Sequence, residues 1–394
     1  MSVTILTRPE VLLRRLIAAS SLACLWIASL AGEAPIPIRA RTRAAQAEAS
    51  PKPIGKPLVV KAPLGLPPVP VPPDNPITTE TVELGRKLFF EKRFSLDGTV
   101  SCSSCHDPNK GGADPRQFSE GMNKQVGNRN APTVFNAAYN PTQFLDGRAA
   151  TLEEQAEGPV QNPVEMSHTL IGVERRLAAD PEYIKLFEKA FGPGRITYKM
   201  AAKAIAAYER MLVSGNSPFD RYYYGGDKKA MNASAIRGLK LFTTIPLDTP
   251  ACGNCHRIGP ESATFAEPRF HNTGVAWDPE KGELKDPGRS AISGNRQDKG
   301  AFRTPTLRNI ALTAPYMHDG SMKTLEDVVD FYLKGGVHNP FISGALPGHA
   351  EEEPVNIPEA EKPQVKKDLV EFMKALTGDL PPLAQPPPAP GTIK

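Results

Sequence analysis

The chain has 394 residues, 40% of them hydrophobic and 23% charged, which allows roughly two or three domains with a substantial core and excludes wholesale disorder. Its 47 Lys+Arg against 43 Asp+Glu leave a formal charge of +4 with no long basic run, so nucleic-acid binding has no electrostatic footprint. Forty-one prolines are about twice the usual share and must lie mostly outside regular elements, because each removes a backbone donor.

In chain order, Arg14 and Arg15 precede an apolar run from Leu16 to Leu30, and Ser29-Leu30-Ala31 supplies small residues for cleavage. Residues 1–31 therefore read as a secretory signal peptide, and the mature chain is expected to be exported, with no membrane span. Residues 32–76 are Ala- and Pro-rich, with Pro67-Pro68-Val69-Pro70-Val71-Pro72-Pro73. That composition predicts an extended, mobile tether of polyproline character. Gln385-Pro386-Pro387-Pro388 repeats the theme at the other end, and 381–394 is expected to be a flexible tail.

Between them the periodic segments are helical and strand signals are sparse. Ile205, Tyr208 and Leu212 share one helical face, as do Leu369, Phe372, Met373 and Leu376. Thr151-Leu152-Glu153-Glu154 has the capping-box form, and Thr324-Leu325-Glu326-Asp327 is a weaker version. There is also an internal echo: Gly85-Arg86-Lys87-Leu88-Phe89 lies seventeen residues before Cys102, and Gly238-Leu239-Lys240-Leu241-Phe242 fourteen before Cys252. Two related units are implied, at 77–220 and 221–380, with the boundary among Gly215, Pro218, Gly225 and Gly226.

The five cysteines carry the chemistry. Four form Cys102-Ser103-Ser104-Cys105-His106 and Cys252-Gly253-Asn254-Cys255-His256; the fifth, Cys24, leaves with the leader. Two thiols three positions apart on one turn can form thioethers to the two vinyl groups of a haem, and the next histidine then ligates the iron. A disulfide, a redox dithiol or a shared zinc site has no need of histidine in both places. Two covalently bound c-type haems are expected.

A haem with a strong second ligand transfers electrons, and one with an open position does chemistry. No histidine occurs between His106 and His168; Met122 and the segment from Gln155 to Met166 lie nearby, so an open site is expected there. Glu165 is a candidate acid/base, although its spacing alone favours an ordinary exposed glutamate. The second haem has several possible ligands: His271, Met317, His318, Met322, Tyr332 and His338.

Several long motifs resemble the bacterial dihaem cytochrome c peroxidase and MauG family. They include Arg129-Asn130-Ala131-Pro132-Thr133, Phe144-Leu145-Asp146-Gly147-Arg148, Asn162 to Met166, and Thr304 to Asn309 followed by Ala314-Pro315-Tyr316-Met317-His318-Asp319-Gly320. The resemblance implies a mainly α fold of two cytochrome-c-like haem domains with a calcium ion between them. It also implies that hydrogen peroxide reacts at the His106 haem, with Glu165 as distal glutamate and Gln155 beside it. Calcium ligands would be the Asn130 side chain and the carbonyls of Thr313 and Pro315.

Three positions separate the branches of that family. No histidine stands near Met122, where many of the peroxidases carry a removable distal ligand. Tyr332 falls where peroxidases place methionine and MauG-like proteins place tyrosine. Leu145 replaces a tryptophan between the haems, and leucine cannot carry a hole. The first two favour the MauG-like branch; the third puts fast charge sharing in doubt. The expected function is peroxide reduction in the periplasm, with electrons from a small cytochrome c or cupredoxin. The alternatives are oxidation of a partner protein to mature a cofactor and non-catalytic electron carriage.

Overall fold

The computed structural model describes residues 51–244, 252–344, 346 and 357–387; the expected leader, residues 32–50 and the end of the tail lie outside them. Among the described residues the α-helical segments are α1 (Thr79–Phe89), α2 (Cys102–Cys105), α3 (Leu152–Gln155), α4 (Gly158–Gln161), α5 (Leu170–Ala178) and α6 (Pro181–Phe191). They continue with α7 (Tyr198–Glu209), α8 (Pro218–Tyr223), α9 (Ala233–Thr243), α10 (Ser290–Ser293), α11 (Leu325–Leu333) and α12 (Lys362–Lys374). Sheet is confined to two-residue pairs: β1 (Phe270–His271) with β4 (Phe302–Arg303), and β2 (Trp277–Asp278) with β3 (Glu283–Leu284), both antiparallel. The fold is mainly α, as the periodicity predicts.

The internal echo has a packing reason. Gly85 lies where α1 crosses α7, and a Cβ there would sit 1.9 Å from the Ala204 carbonyl oxygen. Gly238 lies where α9 crosses α12, and its Cβ would sit 1.9 Å from the Asp368 carbonyl oxygen. Only glycine allows backbones to approach so closely. In each crossing the following phenylalanine packs on an aromatic ring of the partner helix: Phe89 on Tyr208 (5.3 Å) and Phe242 on Phe372 (4.9 Å). Each pair seeds its own hydrophobic core. One runs from Ile77 to Leu212, the other from Phe219 to Leu376.

The two expected helix starts exchange their strengths. Thr324 and Asp327 form the complete reciprocal box at α11. Thr151 accepts from the Glu154 N–H at α3, but the Glu154 carboxylate reaches past it to the Ala150 N–H. The longer glutamate arm overshoots by one residue.

The proline-rich segment differs from its expectation. Residues 51–76 are not a free tether; they are pinned across both cores. The Pro70 carbonyl accepts from Arg210 Nε (3.2 Å), that of Pro67 from Tyr139 Oη (2.9 Å), and that of Asp74 from Lys203 Nζ (2.9 Å). Arg308 Nη2 donates to the Gly65 carbonyl at 2.6 Å, and the same guanidinium holds buried Asp220 through Nη1 and Nη2. Proline removes donors but keeps acceptors, and a pre-set extended chain presents them in a row to long cationic side chains. The start of the expected flexible tail is likewise held. Ala384 is buried, and Arg86 donates to the Gln385 and Pro386 carbonyls.

Candidate active site

Each Cys-x-x-Cys-His closes one tight turn. The His106 N–H donates to the Cys102 carbonyl and the His256 N–H to the Cys252 carbonyl, both at 3.0 Å. This puts both thiols and the imidazole on neighbouring positions of one turn. His106 Nδ1 lies 2.9 Å from the Pro132 carbonyl oxygen, and His256 Nδ1 lies 2.8 Å from that of Phe265. A carbonyl can only accept, so Nδ1 carries the proton and Nε2 keeps the lone pair that a metal needs. Burial lowers the pKa of both imidazoles, which keeps them neutral.

The four thiols argue against a redox dithiol. Burial pushes Cys105, Cys252 and Cys255 up to about 11, and Cys102 further still. Reactive Cys-x-x-Cys pairs have lowered values instead. All four are free cysteines, consistent with thiols kept for covalent attachment.

His106 borders a cavity of about 340 Å³ together with Cys105, Gln155, Glu165, Glu209 and Arg148. Among the described residues its lining holds no second histidine and no methionine, tyrosine or lysine. Met122 is buried beside it, its N–H donating to the Glu165 carbonyl at 2.7 Å, but its side chain does not line the cavity. Glu165 projects from the turn after α4, and Asn162 Nδ2 donates to its Oε1 at 2.6 Å. Burial raises the carboxyl pKa against that hydrogen bond and the charge of Arg148.

Glu209, at the end of α7, is a second acid that the sequence reading missed. It is 5% exposed, and its Oε2 is buried with no hydrogen-bond partner. Desolvation pushes its carboxyl up to about 8. The neighbouring Arg210 cannot neutralise it, because Glu153 takes that guanidinium at 2.7 and 3.1 Å. A charged residue on the apolar-periodic face of α7 was the signal available.

His256 borders the second cavity, about 270 Å³, with Cys252, Cys255, Tyr332, His318, Met317 and His271. Among the described residues no carboxylate lines it. Tyr332 comes from α11, and burial raises its phenol above the usual value. Of the other candidates, His271 gives Nε2 to Glu267 at 2.7 Å, and His318 stacks on Phe302 at 3.9 Å. Met322 packs on the second core without lining the cavity, and His338 is exposed.

The two cavities share a wall of Asn130, Pro132, Thr133, Asn140, Leu145 and Arg303. Thr313 and Pro315 line the second cavity with Asn130, whose Nδ2 donates to the carbonyls of Asp114, Arg116 and Gln117. The donor set suits haem: in each cavity a neutral imidazole is anchored at Nδ1, protonated thiols stand beside it, and the shared wall contains a buried Arg303 Nε with no partner.

Two joined cavities, each served by its own Cys-x-x-Cys-His turn in a mainly helical fold, define a dihaem c-type cytochrome. The sequence pattern of the di-haem cytochrome c peroxidase family matches residues 79–229. Cytochrome c551 peroxidase from Pseudomonas aeruginosa is 42% identical over 65% of this chain and 72% of its own length. The methylamine utilization protein MauG of Methylorubrum extorquens is 37% identical over 79% and 82%. A crystal structure of a MauG-like protein associated with microbial copper homeostasis matches with a TM-score of 0.70 and 33% identity, over 83% of this chain and 98% of that one. The chain belongs to the dihaem cytochrome c peroxidase and MauG family, whose members carry two haems. It is an oxidoreductase acting on peroxide. Among the described residues no helix is long and apolar enough to cross a membrane.

Proposed function

We propose that this chain is an exported, periplasmic dihaem peroxidase in which hydrogen peroxide is reduced in the His106 cavity and electrons arrive through the His256 cavity. The observation that carries this reading is the unlike lining of the two: carboxylic acids and amides around His106, and a phenol, histidines and a methionine around His256. The separate cores support two haem domains, 77–220 and 221–380, with Phe219 of α8 already packed in the second core. Cys102, Cys105, Cys252 and Cys255 attach the haems, and His106 and His256 hold the irons through Nε2. Each haem, when bound, supplies an iron that exchanges single electrons and, where its second face is open, takes up peroxide.

The residues then have distinct tasks. Asn162 fixes Glu165 through Oε1, leaving Oε2 to take a proton from hydrogen peroxide and return it to the departing oxygen. Gln155 holds the oxygens by its amide. Two electrons and two further protons convert each peroxide to two waters, and buried Glu209 is placed to hold one of those protons. Tyr332 is the second ligand of the His256 iron; a phenolate favours the oxidised metal. Calcium is held by Asn130 Oδ1 and the Thr313 and Pro315 carbonyls, a reading supported by their shared cavity and the hard oxygen donors.

The donor is a small periplasmic cytochrome c or cupredoxin. A second reading, oxidation of a partner protein's residue as in MauG, is favoured by Tyr332 and by the lining of the His106 cavity. Paramagnetic resonance of the as-isolated holoprotein should show one high-spin haem that responds to stoichiometric peroxide. Two low-spin haems indifferent to peroxide would leave only electron carriage. Rapid turnover with reduced cytochrome c favours detoxification, and its absence favours the partner-protein reading. Tyr332→Met should raise the second haem's potential and abolish any phenolate signature; an unchanged spectrum moves the ligand to Met317 or His318.

A further inference from the structure

Arg303 lies at the end of β4, its N–H bonded to the Leu145 carbonyl at 2.8 Å. It is 5% exposed and lines both cavities. Its described hydrogen bonds both use Nη1, to Asn140 Oδ1 at 3.0 Å and to the Thr304 carbonyl at 3.2 Å. Nε is buried without a partner.

The other cavity-facing or buried arginines are neutralised. Arg129 has Asp146 and Asp286, Arg148 has Asp146, and Arg308 has Asp220. For Arg303 no carboxylate stands within ion-pair distance among the described residues. Burial alone pulls its guanidinium down to about 10. An unpaired cation in such a place is costly, and the cost is removed by an anion brought from outside the chain. The two cavities meet at this side chain, and each haem carries two carboxylates.

We propose that Arg303 is the shared counter-ion of one propionate from each haem, so that a single guanidinium couples the two macrocycles. The inference rests on the two-haem reading above. A fork with Nε and Nη2 unspent suits carboxylates from two sides, because guanidinium presents donors along more than one edge. Leu145 in the same wall offers no aromatic path, so propionates paired on Arg303 would supply a polar connection between the haems. A positive charge held against both haems favours the reduced state of each iron.

The test uses the holoprotein, with each haem's reduction followed spectroelectrochemically. Arg303→Gln removes the charge, and the equilibrium constant for reduction should fall about tenfold or more at both haems. Arg303→Lys retains the charge and should keep both within about threefold of wild type. A shift at only one haem in either variant, or at neither in Arg303→Gln, overturns the shared role. Should Arg303→Gln fail to fold, the lysine variant decides: unequal movement of the two haems sinks the proposal. Haem content by pyridine haemochrome separates the failures, since fewer than two haems in the wild type refutes the two-haem reading itself.

Discussion

The two halves of the molecule share a scaffold and differ in what they place around their histidines. In both, a glycine lets one helix press against the backbone of another, and an aromatic pair follows it. In both, a carbonyl fixes the imidazole through Nδ1. Yet carboxylates line the first cavity and, among the described residues, none lines the second. In the proposed reading the shared parts are those that would hold a haem, and the differing parts are those that would move protons or complete the coordination of the iron. A duplicated frame has been specialised through a few wall residues.

The largest expected effect attacks that specialisation directly. Glu165→Gln keeps the shape and removes the proton carrier, so peroxide turnover should fall about 10²–10³-fold while the second haem's spectrum stays unchanged. Because burial raises the Glu165 pKa, the base is lost as pH drops through a value above that of an ordinary glutamate. The wild-type rate should fall on that acid limb, and the glutamine variant should lack it. A variant retaining full rate would erase the distinction between the cavities.

Glu209 gives the next effect. Its folded pKa of about 8 lies above the ordinary glutamate value of 4.5, so its contribution to stability is complete below about 4.5 and is lost as pH rises through 8. Glu209→Gln should therefore leave stability nearly unchanged in acid and raise it by up to about 5 kcal/mol above pH 8. Thermal denaturation across that range checks it; a pH-independent difference would mean that the acid is paired. With no carboxylate among the described residues lining it, the second cavity should show no such loss between about pH 4.5 and 8.

The smallest effect tests the common frame. Alanine is the better helix former by about 1 kcal/mol, but Gly85→Ala and Gly238→Ala each drive a Cβ into a carbonyl oxygen. Overpacking wins, and each should destabilise by about 1–3 kcal/mol. Denaturant midpoints of the two variants should drop by similar amounts; a large inequality would show that the crossings are not equivalent.

Much of this was legible in the sequence because it depends on local spacing. The Cys-x-x-Cys-His turns, the periodic faces of α7 and α12 and the Gly–Phe echo are all short-range patterns. Glu209 was not legible as a functional group, since its position follows only from α7 packing its side toward the cavity. The proline-rich segment was misread for the complementary reason. Composition reports the missing donors but not the distant Arg210, Tyr139 and Arg308 that use its carbonyls.

By itself, then, the sequence determined where two Cys-x-x-Cys-His turns form, that the fold is mainly helical and that two units echo each other, because those properties are written within a few turns of chain. Only the tertiary structure decided which acids face the His106 cavity, that residues 51–76 bind to the body, and that one unpaired arginine stands between the two sites. Those depend on residues far apart in the chain, whose burial and partners exist only once both cores have packed.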